Sequence, residues 1–408
     1  MQYDIFFSIC QTPVRGVTPS EAQMFRNFFA QVEAADELGY GVAWVAESHL
    51  SSQVQKRSSQ PVIPHWEGEV GLNVDLLQLA NHVFARTRRI EVGSAIMNIV
   101  CNGGPVAAAE RIAAFLALHG LDASERRRIH VGFAAGRFDF MNRAYGIGPR
   151  SEVERAAWGV VKGQLFRRAA EVFVRLLRGD ELASDDVPPI TLTRDLFRTD
   201  ADWARVRDLA GSEPVVIPPY YAFERLKIVP QEFRRDLLNL VVGSHDPVVQ
   251  EELNRFLPVQ VFNLSITKRE VIEDTHRRLA AAYHPDGGPW RRDHMPRTVF
   301  VFLNEQPGLS RDERRRRAHE EAREALGAYW QALDGTIDPK KVSEASDNAL
   351  VGDAEDVATQ AIERFHPDDR LMLWFDFFNH DSERVIENMS AFRDLVVPRI
   401  EGHLGRSA

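Results

Sequence analysis

Two titratable side chains, Glu47 and His49, follow a short apolar run, Val42 to Val45. If this run is a buried strand, alternation points both side chains to the same side of the sheet. Side chains just beyond the carboxyl end of a buried strand open into the ligand crevice of α/β proteins. The pair is therefore a candidate for acid–base chemistry. From spacing alone, an ordinary salt bridge or hydrogen bond at a barrel rim is the favoured interpretation.

A second strand end is rich in small residues. The apolar run Ile90 to Ile96 contains Gly93, Ser94 and Ala95, and Asn98 follows it. Small residues in a strand allow a ligand to approach the backbone closely, or they mark a bulge. Tight packing of a small-residue layer inside a barrel explains them equally well.

Two further strand ends offer groups for an anion. The run Ile129 to Ala134 leads into Gly136 and Arg137, which can clamp a phosphate, although a turn with an Arg137–Asp139 pair is the alternative. The run Leu238 to Val242 leads into Gly243-Ser244-His245-Asp246 and then a helix. Backbone N–H groups at that helix start form an anion site with the Ser244 hydroxyl. Asp246 as the helix cap is the alternative.

Short apolar runs alternate with longer amphipathic ones along the chain, which is the pattern of repeated βα units. Most of the short runs lack period-2 alternation, as expected for strands covered on both faces. Eight such strands with helices between them predict an α/β fold, a (β/α)8 TIM barrel. The predicted strands are Ile5–Ile9, Val42–Val45, Ile90–Ile96, Ile129–Ala134, Leu238–Val242, Val259–Leu264, Thr298–Leu303 and Leu371–Phe377.

The chain has 408 residues, whereas the core of such a barrel needs about 250. We therefore expect one domain over residues 1–408 with insertions after strands 2 and 4 and before strand 8. The insertions are residues 51–71, 179–231 and 334–353. The second is rich in proline and poor in periodicity, and long irregular segments of this kind tend to be lids.

Composition excludes several classes of protein. The net charge of −9, from 50 basic and 59 acidic residues, argues against a general nucleic-acid binder. Two cysteines suggest neither a disulfide framework nor a structural zinc site, and we expect no metal. No apolar run approaches the roughly 20 residues that span a bilayer, so we expect no membrane association and a cytoplasmic location. Fingerprints of serine hydrolases, P-loop proteins and dinucleotide-binding folds do not occur.

Taken in order, these segments resemble the bacterial luciferase-like flavin-dependent monooxygenase family. The resemblance implies a TIM barrel whose carboxyl-terminal mouth holds reduced FMN (FMNH2), with O2 as co-substrate. It covers most of the chain. The residues that carry it are Gln11-Thr12-Pro13, Leu38-Gly39-Tyr40, Trp44 to His49, Val92 to Ala95, Pro105-Val106-Ala107 with Glu110, Gly136-Arg137, Tyr145-Gly146 and Val397-Pro398.

The family resemblance also assigns roles. Its usual Glu-His-His signature is Glu47-Ser48-His49 here, so Glu47 and His49 are the expected catalytic residues. A non-proline cis peptide is implied at about Ala95-Ile96, behind the flavin ring. Where luciferase carries an Arg, this chain has Ala135, and Arg137 follows two residues later. Where luciferase carries Glu-Ser after the fifth strand, this chain has Ser244-His245. The expected cofactor-binding residues are Ser94, Ala95, Ile96, Asn98, Gly136, Arg137, Gly243, Ser244 and His245.

The function implied is a two-component flavoprotein monooxygenase. A separate NAD(P)H:flavin reductase supplies FMNH2, and a C4a-peroxyflavin oxygenates a small organic substrate in the mouth of a homodimeric enzyme. An apolar lining can come from Phe6, Phe7, Trp44, Phe133, Trp374 and Phe375, although a place in the barrel core is the favoured interpretation for most of them. One alternative is a deazaflavin (F420)-dependent hydride-transfer oxidoreductase on the same barrel. Another is a non-catalytic flavin-binding protein.

Overall fold

Parallel strands form a ring at the centre of the molecule. The computed structural model describes residues 1–50, 68–69, 71–136, 139–333 and 347–407. The strands within these ranges are β1 Gln2–Phe7, β2 Val42–Val45, β3 Glu91–Ser94, β4 Met97–Asn98, β5 Ile129–Ala134, β6 Ile190–Leu192, β7 Val215–Ile217, β8 Leu238–Val242, β9 Val259–Val261, β10 Arg297–Leu303, β11 Leu350–Gly352 and β12 Arg370–Trp374.

The ring has the strand order β10–β12–β1–β2–β3–β5–β8–β9, and every neighbouring pair in it is parallel. A parallel bridge between Asn263 and Arg297 joins the end of β9 to the start of β10. The Asn263 N–H donates to the Pro296 carbonyl at 2.9 Å, and the Thr298 N–H donates to the Asn263 carbonyl at 3.0 Å. All eight predicted strands are present, and their carboxyl ends share one rim.

Strand boundaries differ from the sequence prediction in several places. β1 covers Gln2–Phe7 rather than Ile5–Ile9, and β12 ends at Trp374 rather than Phe377. β3 ends at Ser94, and the chain returns to the sheet as β4, which pairs with β5. β9 ends at Val261 rather than Leu264. β11 is an additional strand that pairs with the second half of β10. In each case the ladder partner, which the local sequence does not reveal, decides where a strand stops.

Helices cover the outside of the ring. They are α1 Glu21–Glu37, α2 Leu76–Arg86, α3 Gly104–His119, α4 Asp139–Ala144, α5 Glu152–Ala156, α6 Trp158–Arg178, α7 Asp200–Ala210, α8 Pro247–Leu253, α9 Arg269–Ala282, α10 Arg311–Leu333, α11 Ala354–Arg364, α12 Ser382–Ala391 and α13 Val397–Ser407. Side chains such as Ser20 and Asp75 begin these helices by accepting hydrogen bonds from free backbone N–H groups. Within the described ranges, no helix is long and apolar enough to cross a membrane.

Two apolar layers hold the barrel together. The outer layer lies between strands and helices and contains, among others, Phe7, Phe133 and Phe375. The inner layer fills the barrel and consists of Phe6, Val42, Trp44, Val241, Phe262 and Met372, with Trp374 packed against it. Of the lining residues expected from sequence, Phe6, Trp44 and Trp374 therefore belong to the interior, and the other three belong to the outer core.

A charged pair lies among the apolar side chains near the start of β1 and β12. The Asp4 carboxylate, 1% exposed, accepts hydrogen bonds from Arg370 Nε at 2.6 Å and Arg370 Nη2 at 3.2 Å. It also accepts from Trp44 Nε1 at 2.7 Å and from the Val42 N–H at 3.1 Å. Four donors thus satisfy one buried carboxylate, which ties three neighbouring strands together.

Residues 179–231, which we call the insertion segment, contain regular structure. β6 and β7 pair in antiparallel fashion on either side of α7, and a bridge joins Leu182 to Leu226. The expectation of an irregular segment is therefore wrong, because three-residue strands leave no readable periodicity. Of the other predicted insertions, 51–67, 70 and 334–346 lie outside the described residues. Residues 350–352 of the third form β11.

Candidate active site

Glu47 and His49 are in contact at the carboxyl-terminal rim, just past β2. His49 Nε2 lies 3.0 Å from Glu47 Oε1, and their side chains are 7% and 3% exposed respectively. The strand-end alternation predicted from the sequence is confirmed by this contact. A carboxylate beside an imidazole fixes the ring orientation and leaves the ring able to take up or release a proton.

A small cavity joins this pair to the turn that follows β4. Asn98, Cys101 and Arg111 line it together with Glu47 and His49. Burial, with the Glu47 charge as a second cause, raises the pKa of the Cys101 thiol to about 12. Arg111 makes an ion pair with Asp75, the residue that caps α2. The Glu47–His49 pair is therefore enclosed on the side of α2 and α3.

An apolar floor of short side chains lies beside the pair, where β3, β5 and β8 end side by side. Its residues are half-buried and open to the mouth: Ala95, Ile96, Ala134, Ala135, Gly136, Gly243 and Ser244. The Ala95–Ile96 peptide is cis, as the family resemblance implied. A Cβ added at Gly243 would meet Ile96 Cδ1 at 2.5 Å, so a larger residue there would displace the floor.

Two predicted cofactor-binding residues lie beneath the floor. Ser94 is fully buried, and its Oγ has no hydrogen-bond partner among the described residues. Asn98 Nδ2 donates to Asn142 Oδ1 at 2.8 Å, while Asn98 Oδ1 accepts from the Val100 N–H at 2.9 Å. Gly136, with φ of +70°, passes so close that a Cβ would stand 2.2 Å from Asn98 Nδ2. Asn98 thus supports the turn beside the floor.

The groups expected to bind a phosphate are only partly described. Arg137 lies outside the described residues. Ser244 Oγ accepts from the Asp246 N–H at 3.2 Å, and His245 Nε2 lies 3.0 Å from Asn263 Oδ1. Asp246 caps α8 through the Val248 N–H at 2.9 Å, which is the alternative that the sequence left open. A carboxylate at the helix start repels an anion there, so Ser244 and His245 remain predictions as cofactor ligands.

A polar group that sequence reasoning missed lies at the end of β12. Asp376 follows Trp374 by two residues, so alternation points both side chains toward the barrel interior. Burial raises the pKa of the Asp376 carboxyl to about 7. Trp374 belongs to an aromatic wall, defined as Phe6, Phe300, Trp374 and Phe377. The rings of Phe6, Phe300 and Phe377 lie 4.4, 5.0 and 4.7 Å from that of Trp374. The signal available in sequence was an acidic residue within an aromatic strand end, WFDFF.

Residues 1–179 match the family model described as luciferase-like monooxygenase. Over these residues the chain is similar to the luciferase-like monooxygenase family. The match includes β1 to β5, and with them Glu47, His49 and the first half of the floor. The matched family is the one that the sequence resemblance had indicated. None of the curated proteins compared with the chain matches it.

Solved structures share the fold across the whole chain. The monooxygenase RslO1 from Streptomyces bottropensis is 18% identical, with a TM-score of 0.66 and coverage of 98% of this chain and 99% of the other. The oxygenating constituent of 3,6-diketocamphane monooxygenase from Pseudomonas putida, in complex with FMN, is 12% identical, with a TM-score of 0.56 and coverage of 98% and 99%. An F420-dependent secondary alcohol dehydrogenase is 15% identical, with a TM-score of 0.55 and coverage of 98% of each chain.

Proposed function

We propose that this protein is a flavin-dependent monooxygenase that uses reduced FMN and O2 to oxygenate a small organic substrate at the carboxyl-terminal mouth of the barrel. The observation that carries the proposal is the buried Glu47–His49 contact within the part of the chain that matches the luciferase-like family. It supports this function because the pair stands at the rim where barrel enzymes place their reactive groups.

The floor fits the ring system of a flavin. Ala95, Ile96, Ala134, Ala135 and Gly243 offer an apolar surface without large side chains or charges. When bound there, reduced FMN would supply the electrons that activate O2. The floor would hold the ring, and the apolar walls around it would exclude water from the reacting centre.

The Glu47–His49 pair would move a proton beside the ring. Glu47 accepts a hydrogen bond from the imidazole when Nε2 carries the proton, which fixes the orientation of the ring. His49 would then donate a proton to oxygen from its other ring nitrogen, Nδ1, as the reaction proceeds and recover one afterwards. Ser48 replaces the middle histidine of the family signature, so His49 would carry this role without a second imidazole.

A stopped-flow titration tests the proposal. Anaerobic protein is titrated with reduced FMN and, separately, with reduced F420, and each complex is then mixed with O2. We expect saturable binding of reduced FMN and reoxidation kinetics that differ from those of free FMN. Binding of reduced F420 alone would replace the proposal with hydride transfer on the same barrel. Binding of FMN without any effect on its reaction with O2 would indicate a non-catalytic flavin-binding protein.

Three further features belong to the same proposal. A separate NAD(P)H:flavin reductase would supply the reduced cofactor, since the sequence carries no dinucleotide-binding fingerprint. The insertion segment would act as a lid, because it reaches the rim: Tyr221 Oη donates to the Val100 carbonyl at 2.8 Å. The assembly would be a homodimer. Sedimentation of the purified protein, alone and with a flavin reductase, tests the assembly state.

A further inference from the structure

The Asp376 carboxyl is short of hydrogen-bond partners. Its Oδ2 accepts one long bond, 3.4 Å, from the Ser8 N–H, and its buried Oδ1 accepts none from the described residues. A buried carboxyl oxygen without a partner destabilises the folded protein, since it has lost its hydrogen bonds to water. Groups left in this state commonly have a partner that is absent from the free protein, such as a water or a ligand.

A second unsatisfied group stands beside it. The indole Nε1 of Trp374 is buried and donates no hydrogen bond of normal geometry among the described residues. The Trp374 side chain nevertheless lies near enough to the Asp376 carboxyl to lower its pKa as a weak hydrogen-bond donor, and the Ser8 side chain does the same, both against the larger effect of burial. A buried indole N–H usually finds an acceptor. One donor and one carboxyl group thus converge inside an otherwise apolar aromatic wall.

The charged groups around Asp376 do not offset the negative charge that an ionised carboxylate would carry there. No arginine or lysine is among the main influences on its pKa, which burial dominates. The titratable groups of the neighbouring segments are Cys10, Glu69 and His380. The Cys10 thiol, near Asp376, donates to the Glu69 carbonyl at 3.4 Å, and His380 Nε2 lies 2.6 Å from the Thr12 carbonyl. An oxygen acceptor therefore meets a carboxylic acid here more readily than a carboxylate.

We propose that Asp376 and Trp374 form the substrate-binding end of the site, where the carboxylic acid and the indole N–H both donate to a carbonyl or hydroxyl oxygen of an uncharged, largely apolar substrate. This inference rests on the proposed monooxygenase function and names the substrate class. The aromatic wall supplies the apolar contact, and the two donors fix the oxygen. β12, β1 and β2 are adjacent, so Asp376 and His49 follow the ends of strands that lie two positions apart on one rim.

A matched pair of probes tests the assignment. 1-Tetralone carries a carbonyl oxygen and tetralin lacks it, while their ring systems are otherwise alike. Binding of each is measured by ligand-detected NMR to the wild type and to three variants: Asp376→Asn, which keeps a donor, Asp376→Leu, which removes it, and Trp374→Phe, which removes the indole N–H. Asp368→Asn is the control, because that side chain is 76% exposed on the loop before β12.

We expect the wild type and Asp368→Asn to bind 1-tetralone at least about tenfold more tightly than tetralin. Asp376→Asn should keep most of this preference, and Asp376→Leu and Trp374→Phe should reduce it to threefold or less, roughly. Equal affinities of the wild type for the two probes, no binding of either at millimolar concentration, or an unchanged preference in Asp376→Leu would each overturn the proposal.

A spectroscopic measurement keeps the test independent of folding and of flavin chemistry. Infrared difference spectra between Asp376→Asn and the wild type should show a protonated carboxyl at about pH 6 that ionises near the Asp376 pKa of about 7. A carboxylate already ionised at that lower pH contradicts the inference. Reduced FMN titrated into Asp376→Leu should bind as in the wild type. If the wild type does not bind reduced FMN, the proposed function is refuted. If it binds reduced FMN but shows no preference for 1-tetralone over tetralin, only the role of Asp376 is refuted.

Discussion

Replacing Asp4 by Asn should destabilise the barrel far more than its small change of shape suggests. The carboxylate accepts four hydrogen bonds, two of them from Arg370. An asparagine keeps one acceptor oxygen and turns an N–H group toward donors that already point inward. It also leaves the Arg370 guanidinium buried without its main counter-charge.

The size of the effect follows from these losses. Removing one member of a buried ion pair costs about 3–5 kcal/mol, and the lost hydrogen bonds lie within that figure. Glu91 and Asp293 also act on Arg370 from further away, so we expect the lower half of this range, about 3–4 kcal/mol. That is a large part of the 5–15 kcal/mol typical of whole domains.

Urea unfolding at neutral pH, followed by tryptophan fluorescence and far-UV circular dichroism, measures the change. The double variant Asp4→Leu/Arg370→Met should be more stable than Asp4→Asn, since it removes both charges together. The control is Asp368→Asn, whose carboxylate is exposed. A loss below about 1 kcal/mol for Asp4→Asn, or additive effects in the Asp4–Arg370 cycle, would refute the idea that this pair is mutually dependent.

Three further outcomes are expected. His49→Ala should slow turnover with saturating reduced FMN by about 10²–10⁴-fold while costing less than about 3 kcal/mol of stability. His366→Ala is the control, and equal turnover rates in the two variants would show that His49 takes no part in the mechanism. Burial lowers the pKa of His294 to about 4, so the unfolded chain binds a proton that the folded chain excludes. Stability should therefore fall as pH drops from about 6.5 toward 4, less so in His294→Gln, as urea midpoints would show. Gly243→Ala should weaken FMN binding roughly tenfold by displacing Ile96, whereas Gly159→Ala, whose Cβ meets open space, should not.

The ring of strands was predictable because buried parallel strands are short, continuous apolar runs separated by long amphipathic ones. β2, β5 and β8 begin and end where the sequence indicates. The path between Ser94 and Met97 was not readable in this way, since it depends on which strand supplies each hydrogen-bond partner. The insertion segment was misjudged for the same reason: β6 and β7 hold each other, and neither has a pattern of its own.

The candidate site, like the fold, was predictable from the sequence only where local spacing determines the geometry. The contact between Glu47 and His49 follows from local alternation past a strand end, so spacing was enough to predict it. Asp376 depends on burial beneath residues that are distant in sequence, such as Ser8 and Cys10. No local sequence pattern predicts that this carboxyl group will be buried away from water. The capping role of Asp246 was visible as an alternative, and only the geometry of α8 favours it.

The hydrogen bond from Tyr221 to the Val100 carbonyl joins two parts of the chain that lie 121 residues apart. Val100 belongs to the turn that Asn98 braces and that encloses the Glu47–His49 pair. A tyrosine of the insertion segment thus holds the backbone of a turn that borders the Glu47–His49 pair. A substitution at Tyr221 would release the Val100 carbonyl, so a change far from the barrel mouth in sequence reaches the turn that encloses the pair.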